Sequence, residues 1–266
     1  MTEKAFIKEI WRYYKKHKRQ MAWRDDPTPY KVVVSEIMLQ QTQAERVARK
    51  FESFLARFPN CESLSSAKIS DVLKEWQGLG YNRRALNLHR LAQQTKGKIP
   101  QTHDELLELP GIGPNTAGSI LAFAFNIPHP FIETNIRTVY IYFFFQNARG
   151  KINDKKLMTL IEKTLDKKNP REWYYALMDY GAFLKRSQVN PSRRSKHHVK
   201  QSKFKGSNRE LRSHILKEVL KKPQTIKSLI RLFPNKQITA LYKNINDLEK
   251  EGFISKKKAL YTIAKG

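Results

Sequence analysis

The chain has 266 residues, 40% of them hydrophobic and 11% aromatic, which predicts a packed core and excludes wholesale disorder. Fifty-one Lys and Arg against 24 Asp and Glu leave a net charge of +27, so a polyanionic partner is expected, nucleic acid first and a membrane surface second. No apolar run approaches the roughly 18 residues of a bilayer span. The N-terminus alternates charged and apolar residues instead of forming a signal core, and the one cysteine, Cys61, makes no disulfide, zinc tetrad or cysteine-held iron–sulfur cluster. A soluble intracellular protein is expected, with Cys61 as a small buried hydrophobe.

In chain order the pattern is helical. Phe6, Ile10, Tyr13 and Tyr14 recur at helical spacing within Ala5 to Lys16, and the polar, Pro-rich "WRDDPTPYK" breaks that run. A long apolar-periodic segment follows from Lys31 to Phe58. "LSSAKISDVLKEWQGLGY" predicts a helix capped by Ser66 or Ser70 and ended by "GLG". "RRALNLHRLAQQTKG" predicts another, stopped by Gly97. "THDELLELPGIGPNTAGSILAFAF" reads as a short helix, a Gly-Pro hairpin and a second helix, and "NPREWYYALMDYGAFLK" as a later one. From Lys185 to Arg209 nine residues are Lys or Arg and none is acidic. That stretch is either a solvated linker or a strap that contacts phosphates. Three amphipathic helices and a basic-tipped hairpin then fill 208–266, with Ile238, Leu241, Ile245 and Leu248 along one helix face. This order predicts a winged helix, a fold that serves DNA and protein contacts alike.

Two carboxylates stand out. Glu36 interrupts the apolar "VVVSEIMLQQTQ", where an unpaired carboxylate costs several kcal/mol or must take a raised pKa. Glu133 opens a very apolar helix in "FIETNIRTVYIYFFF", where it complements the helix dipole and Thr134 is the candidate cap. Hydrolysis of an N-glycosidic bond needs such a pair. One carboxyl gives a proton to the departing base, and an ionised one sits beneath the developing oxocarbenium ion. In "LPGIGPNTAGSI", Gly111 and Gly113 permit tight turning and Pro114 opens a helix, the helix-hairpin-helix pattern that grips a phosphate through backbone N–H groups.

The blocks "MAWRDDPTPYKVVVSEIMLQQTQAERV", "EWQGLGYNRRALNLHRLA", "ELPGIGPNTAGSILAFAF", "PFIETNIRTV" and "ALMDYGAFL" together resemble the endonuclease III superfamily of DNA glycosylases, most closely its adenine glycosylase branch, over about residues 5 to 185. The resemblance implies an all-α, two-lobed helix-hairpin-helix core that flips a base into a cleft between its lobes. The division implied is a core over 1–185, with about 28–130 forming one lobe and the N-terminal and 131–185 segments the other. A basic strap over 186–207 and a winged-helix (α+β) module over 208–266 complete it. By the resemblance Glu36 is the general acid, Asn135 lies near the second carboxylate, and Arg24 lies near the base pocket and the DNA. Gln41, Leu79 and Tyr81 would prop the stack, although Tyr81 also suits a core. Leu109, Gly111, Gly113, Asn115 and Thr116 would form the phosphate-gripping hairpin, and the resemblance leaves room there for a monovalent cation.

The departures from the family matter as well. Glu133 stands where the family has Asp, so its carboxylate moves by about one bond length, and about 1 Å of misplacement can cost 10²-fold. Asn115 occupies the position of the lysine nucleophile of bifunctional relatives and cannot form a Schiff base. The four-cysteine cluster loop is replaced by the strap, so Arg186, Arg193, Arg194 and Lys196 are expected to take over its electrostatic work without metal. Nothing resembles the Nudix-like domain with which adenine glycosylases read 8-oxoguanine. The resulting expectation is a monofunctional DNA glycosylase without a cofactor, nucleoid-associated in the cytoplasm and monomeric. It would act on duplex DNA at a mispaired adenine, or alternatively at thymine, uracil or another base in a G mispair. A non-catalytic DNA-binding protein built on a degenerate core is the competing class.

Overall fold

The structure is a computed structural model, and it describes residues 1–187, 189–201, 203–234 and 238–264. The helices run α1 Glu3–His17, α2 Ala22–Asp25, α3 Pro29–Leu39, α4 Ala44–Arg57, α5 Cys61–Ser65, α6 Ile69–Glu75, α7 Arg83–Thr95, α8 His103–Leu107, α9 Pro114–Phe125, α10 Thr134–Phe144, α11 Asp154–Thr164 and α12 Pro170–Ser187. A 3-10 turn, Pro191–Arg194, leads to α13 Asn208–Lys221, β1 Gln224–Thr225, α14 Ile226–Leu232, α15 Ile238–Lys250, β2 Ile254–Lys257 and β3 Leu260–Ile263. The fold is mainly helical with one small C-terminal sheet.

Contacts gather the chain into two compact units, Met1–Glu36 with Ile99–Lys200, and Ile37–Lys98 with Gln201–Gly266. The first is built on α10 and α12. Phe6 of α1 sits 5.0 Å from the rings of Tyr140 and Phe144 and 6.0 Å from Trp173, so one residue joins three helices through aromatic packing. Arg137 donates to both carboxylate oxygens of Asp154, at 2.9 and 2.7 Å, and fixes α10 to the start of α11. Residues 99–130 join this unit instead of 37–98, because α9 packs on α12: Phe123 stacks on Tyr175 at 4.7 Å.

In the second unit, Val47, Phe51 and Phe54 form the buried stripe of α4. The long apolar-periodic segment from Lys31 to Phe58 holds two helices, α3 and α4. The Arg84 guanidinium donates to the carbonyls of Ile37, Met38 and Gln40, at 2.9, 2.7 and 2.7 Å, and satisfies the end of α3. Gln41 then takes a left-handed φ of 54°. Neither Ser66 nor Ser70 caps α6. Its N-cap is Lys68, and the side-chain cap in this region is the Asn60–Ser63 capping box of α5. Gly78 and Gly80 turn the chain at φ 95° and 72°, as "GLG" predicts.

At the C-terminus α13, α14 and α15 precede the β2–β3 hairpin, whose tip carries Lys257 and Lys258. Periodicity does not reveal β1, which pairs antiparallel with β3 to give the order β1-β3-β2. Leu241, Ile245 and Leu248 are buried along α15, while Ile238 stays 54% exposed because it opens the helix. Residues 235–237, just before it, lie outside the described residues, as do 188 and 202 of the strap.

Candidate active site

Glu36 lies on α3 among Val32, Val33, Val34, Ile37 and Met38, each 1% exposed or less. Its Oε2 is 2.5 Å from Ser119 Oγ on α9. Burial pushes the Glu36 carboxyl up to about 7, and the nearby charge of Glu133 adds to that, while the Ser119 hydrogen bond and Arg24 pull the other way. A carboxyl held in this range is half protonated near neutral pH, which suits a general acid.

Glu133 is the N-cap of α10. Its Oε1 accepts from the backbone N–H groups of Asn135 and Ile136, at 2.7 and 3.0 Å, and its Oε2 accepts from Asn135 Nδ2 at 3.3 Å. The cap expected from Thr134 is thus supplied by Glu133 itself, the longer side chain folding back over the first turn. Lys185 Nζ donates to Asn135 Oδ1 at 2.7 Å, which turns the Asn135 amide group toward Glu133. Burial holds the Lys185 ammonium below its usual range, with Glu133 opposing that shift.

Two helical glycines let this loop come close. A Cβ on Gly181 of α12 would run into the Asn135 carbonyl oxygen and lie 2.7 Å from Asn135 Cβ, and one on Gly118 of α9 would meet Phe131 Cβ at 2.7 Å. Asn115 Oδ1 accepts from the backbone N–H of Ile132 at 3.1 Å, one residue before Glu133. Glu36, Ser119, Asn115, Glu133, Asn135, Gly181 and Lys185 all belong to the first unit.

Arg24 is placed differently from the expectation of a DNA contact. Its guanidinium is 5% exposed and grips Asp179, itself 0% exposed, through two 3.0 Å hydrogen bonds while lying 4.3 Å over the Tyr175 ring. Arg19 shares the same carboxylate, its Nε at 2.6 Å and its backbone N–H at 2.9 Å. Its two terminal nitrogens are thus engaged internally while Nε is buried without a partner, and its charge favours ionisation of Glu36.

In the hairpin, Leu109 is buried, its carbonyl accepts from Ile112 N at 3.2 Å, and Gly111 turns at φ 81°. Gly113 is the N-cap of α9 with open space where a Cβ would stand, and Pro114 takes the first helical position. Asn115 is exposed and Thr116 half-buried at this helix N-terminus. In the other unit Gln41 is exposed, whereas Leu79 is 2% exposed and packed inside, so a direct role for Leu79 against a DNA stack is not what this conformation presents. Tyr81, at φ 47°, is half-buried, and its hydroxyl accepts from Gln201 Nε2 at 2.5 Å and Arg209 at 2.7 Å. These residues border a cavity of about 1080 Å³ within that unit.

The strap is partly built in. Ile152 and Ser195 form a parallel bridge, and Arg194 donates to the carbonyls of Phe145 at 2.7 Å, Gln146 at 3.2 Å and Ala148, closing the C-terminal end of α10. Arg194 is therefore engaged in the fold, and Arg186, Arg193 and Lys196 are the exposed members of the expected set. The sequence supplies one cysteine, so a four-thiolate ligand set does not fit it. Among the described residues no group of three or more His, Cys, Asp or Glu is placed to hold a metal, and no helix is long and apolar enough to cross a membrane.

Reading by pattern misses Ser119, Asp179, Lys185, Arg84 and the two glycines. Only the glycines carry a signal, since Gly inside a helix costs about 1 kcal/mol against Ala and asks for a packing reason.

Comparison with known proteins places the chain in a family. The profile described as "HhH-GPD superfamily base excision DNA repair protein" matches residues 34–167. An adenine DNA glycosylase of Buchnera aphidicola subsp. Baizongia pistaciae is 36% identical over 189 residues, 69% of this chain and 54% of that protein. The adenine DNA glycosylase of Schizosaccharomyces pombe is 31% identical over 204 residues, 66% of this chain and 44% of that one. The chain thus spans about half the length of the curated relatives it matches. Among solved structures, a thermostable thymine-DNA glycosylase superposes with a TM-score of 0.64 at 25% identity, over 71% of this chain and 90% of that one. An endonuclease III trapped covalently on DNA gives 0.54 at 18% identity, over 69% and 85%, a likeness of fold.

Proposed function

Because the chain belongs to the HhH-GPD superfamily of base excision DNA repair proteins, we propose that it is a monofunctional DNA glycosylase acting on mispaired adenine. The observation that carries this reading is the placing of Glu36 among buried aliphatic side chains, hydrogen-bonded to Ser119 and in the field of a second carboxylate that caps a helix, which pushes its carboxyl up to about 7. Glu36 gives its proton to the departing base. Glu133 supports the positive charge that grows at C1′ as the glycosidic bond opens, and Asn135 orients Glu133. Water completes the hydrolysis and leaves an abasic site. Asn115, an amide, offers no amine for a Schiff base, so strand cleavage is not part of the cycle.

The surrounding parts join this proposal in the roles their chemistry suits. The 109–116 hairpin, with or without a monovalent cation, grips a backbone phosphate through the start of α9. Gln41 and Tyr81 meet the stack, with Leu79 as their support. Arg186, Arg193 and Lys196 contact phosphates, with Arg194 holding their base. The working division is a core over 1–185, the strap over 186–207 and a winged-helix module over 208–266, whose helix and strand order supports that name. The enzyme acts as a clusterless monomer on the duplex DNA of the nucleoid. Likeness to a thymine-DNA glycosylase at a TM-score of 0.64 favours, as second reading, thymine or another base in a G mispair.

Single-turnover excision on duplexes carrying A·8-oxoG, A·G, T·G and U·G, followed by alkali, tests both. Alkali-dependent cleavage at adenine supports the first reading and cleavage at T·G or U·G the second. Binding without excision across the panel overturns the enzyme.

A further inference from the structure

Ser119 Oγ sits between two oxygens, Glu36 Oε2 at 2.5 Å and the carbonyl of Thr116 at 2.9 Å. The side chain is 2% exposed, so water offers little substitute for either partner. A hydroxyl has one proton to donate, and a carbonyl only accepts. That one proton must choose. While Glu36 is neutral, its Oε2 and the Thr116 carbonyl are acceptors of similar strength, and the i to i−3 bond to Thr116 is a bond a helical serine readily makes. Once Glu36 is ionised the balance changes, because a hydrogen bond to a carboxylate is roughly twice as strong as one to a neutral acceptor.

We propose that Ser119 is a positioning residue for the acid, its hydroxyl turning from the Thr116 carbonyl to Glu36 Oε2 as Glu36 gives up its proton. The inference rests on the reading of Glu36 as the general acid. The O–H bond of Glu36 breaks, an N–H bond forms on the departing base, and the electron pair of the C1′–N bond leaves with that base. Ser119 keeps its own proton throughout and changes only its acceptor. The carboxylate left behind is stabilised at the moment it forms, which makes Glu36 a stronger acid than burial alone allows.

The charged groups around the carboxyl act through space. Glu133 on α10 opposes ionisation of Glu36 and Arg24 on α2 favours it, while Tyr175 on α12 lies within the Glu36 field under the Arg24 guanidinium. Ser119 contributes a directed donor. It rides on α9, the helix that begins at the hairpin, so the same element that is proposed to hold phosphate also aims this hydroxyl.

The test compares wild type, Ser119→Ala and Ser119→Thr in single-turnover excision between about pH 5 and 9, where a general acid gives a rate that falls as pH rises. For Ser119→Ala the low-pH plateau is expected to drop by about tenfold and the falling limb to move up by about one pH unit, the size of a hydrogen bond to a charged group. Ser119→Thr keeps the hydroxyl and is expected to hold the limb at its wild-type place. A carboxyl titration of Glu36 by NMR, done without DNA, is expected to show the same upward movement in Ser119→Ala. An unmoved limb and unmoved titration in Ser119→Ala overturn the proposal, as does a Ser119→Thr limb that follows Ser119→Ala. Full excision by Glu36→Gln is a different failure, since it removes the acid itself, and the two are told apart by that one variant.

Discussion

Glu36 and Glu133 are the same side chain in opposite settings. Glu36 stands in the middle of α3 among aliphatic neighbours, and its hydrogen bond comes from a serine hydroxyl. Glu133 stands at the start of α10, where two backbone N–H groups and an amide point at it and the helix dipole welcomes negative charge. The first environment favours the neutral carboxyl of Glu36, and the second surrounds the Glu133 carboxylate with hydrogen-bond donors. The difference between identical groups thus follows from where each lies along a helix, and the longer Glu133 side chain still reaches both backbone N–H groups of the cap.

The sharpest way to break this contrast is Glu36→Gln, which retains size and polarity but has no proton of suitable acidity to give. Excision is expected to fall by about 10²–10⁴-fold in single-turnover assays, and retention of wild-type rate would refute the assignment of the acid. Next comes Gly181→Ala. The new Cβ would run into the Asn135 carbonyl oxygen, so the start of α10 must move and carry Glu133 with it. A displacement near 1 Å predicts about a 10²-fold loss of rate, with about 1–3 kcal/mol of stability lost to overpacking. Denaturant titration together with excision kinetics checks both effects, and unchanged kinetics would show that Glu133 is not poised as described.

The third effect needs no substrate. Glu36 ionises near 4.5 in an unfolded chain and near 7 in the folded one. Between those values the native state holds a proton that the unfolded state has released. The stability this group contributes is complete below about pH 4.5 and is lost as pH rises through 7, and because Glu36 is itself only half-buried the whole loss is at most about 3 kcal/mol. Glu36→Gln removes that dependence, so the variant should melt higher than wild type at pH 8 and close to it at pH 4.5. Parallel melting curves at both pH values would mean that Glu36 is not desolvated.

Much of this was legible in the chain. Periodicity and punctuation place α1, α7, α9 and α12, because burial stripes and Gly or Pro stops act locally. The Glu36 block and the hairpin were legible for another reason, since a carboxylate among aliphatic residues and an L-P-G-x-G run are chemically unusual. What escaped depends on direction in space. Arg24, expected near the base pocket and the DNA, turns inward to Asp179, more than 150 residues away, and Arg194, expected among the phosphate contacts, closes α10. Nothing in the pattern singles out Arg84. Its guanidinium reaches the carbonyls of Leu79 and Gly80, at 3.1 and 2.9 Å, as well as those at the end of α3, so it splits a segment that periodicity joins. Charge patterns count such groups but do not aim them.

The Asn115–Ile132 hydrogen bond also constrains how this chain can change over evolutionary time. A lysine at 115 would add a nucleophile, but it would delete the acceptor that holds the backbone one step before Glu133. Loss of that acceptor would leave the backbone N–H of Ile132 unpaired and loosen the turn that leads into the Glu133 cap.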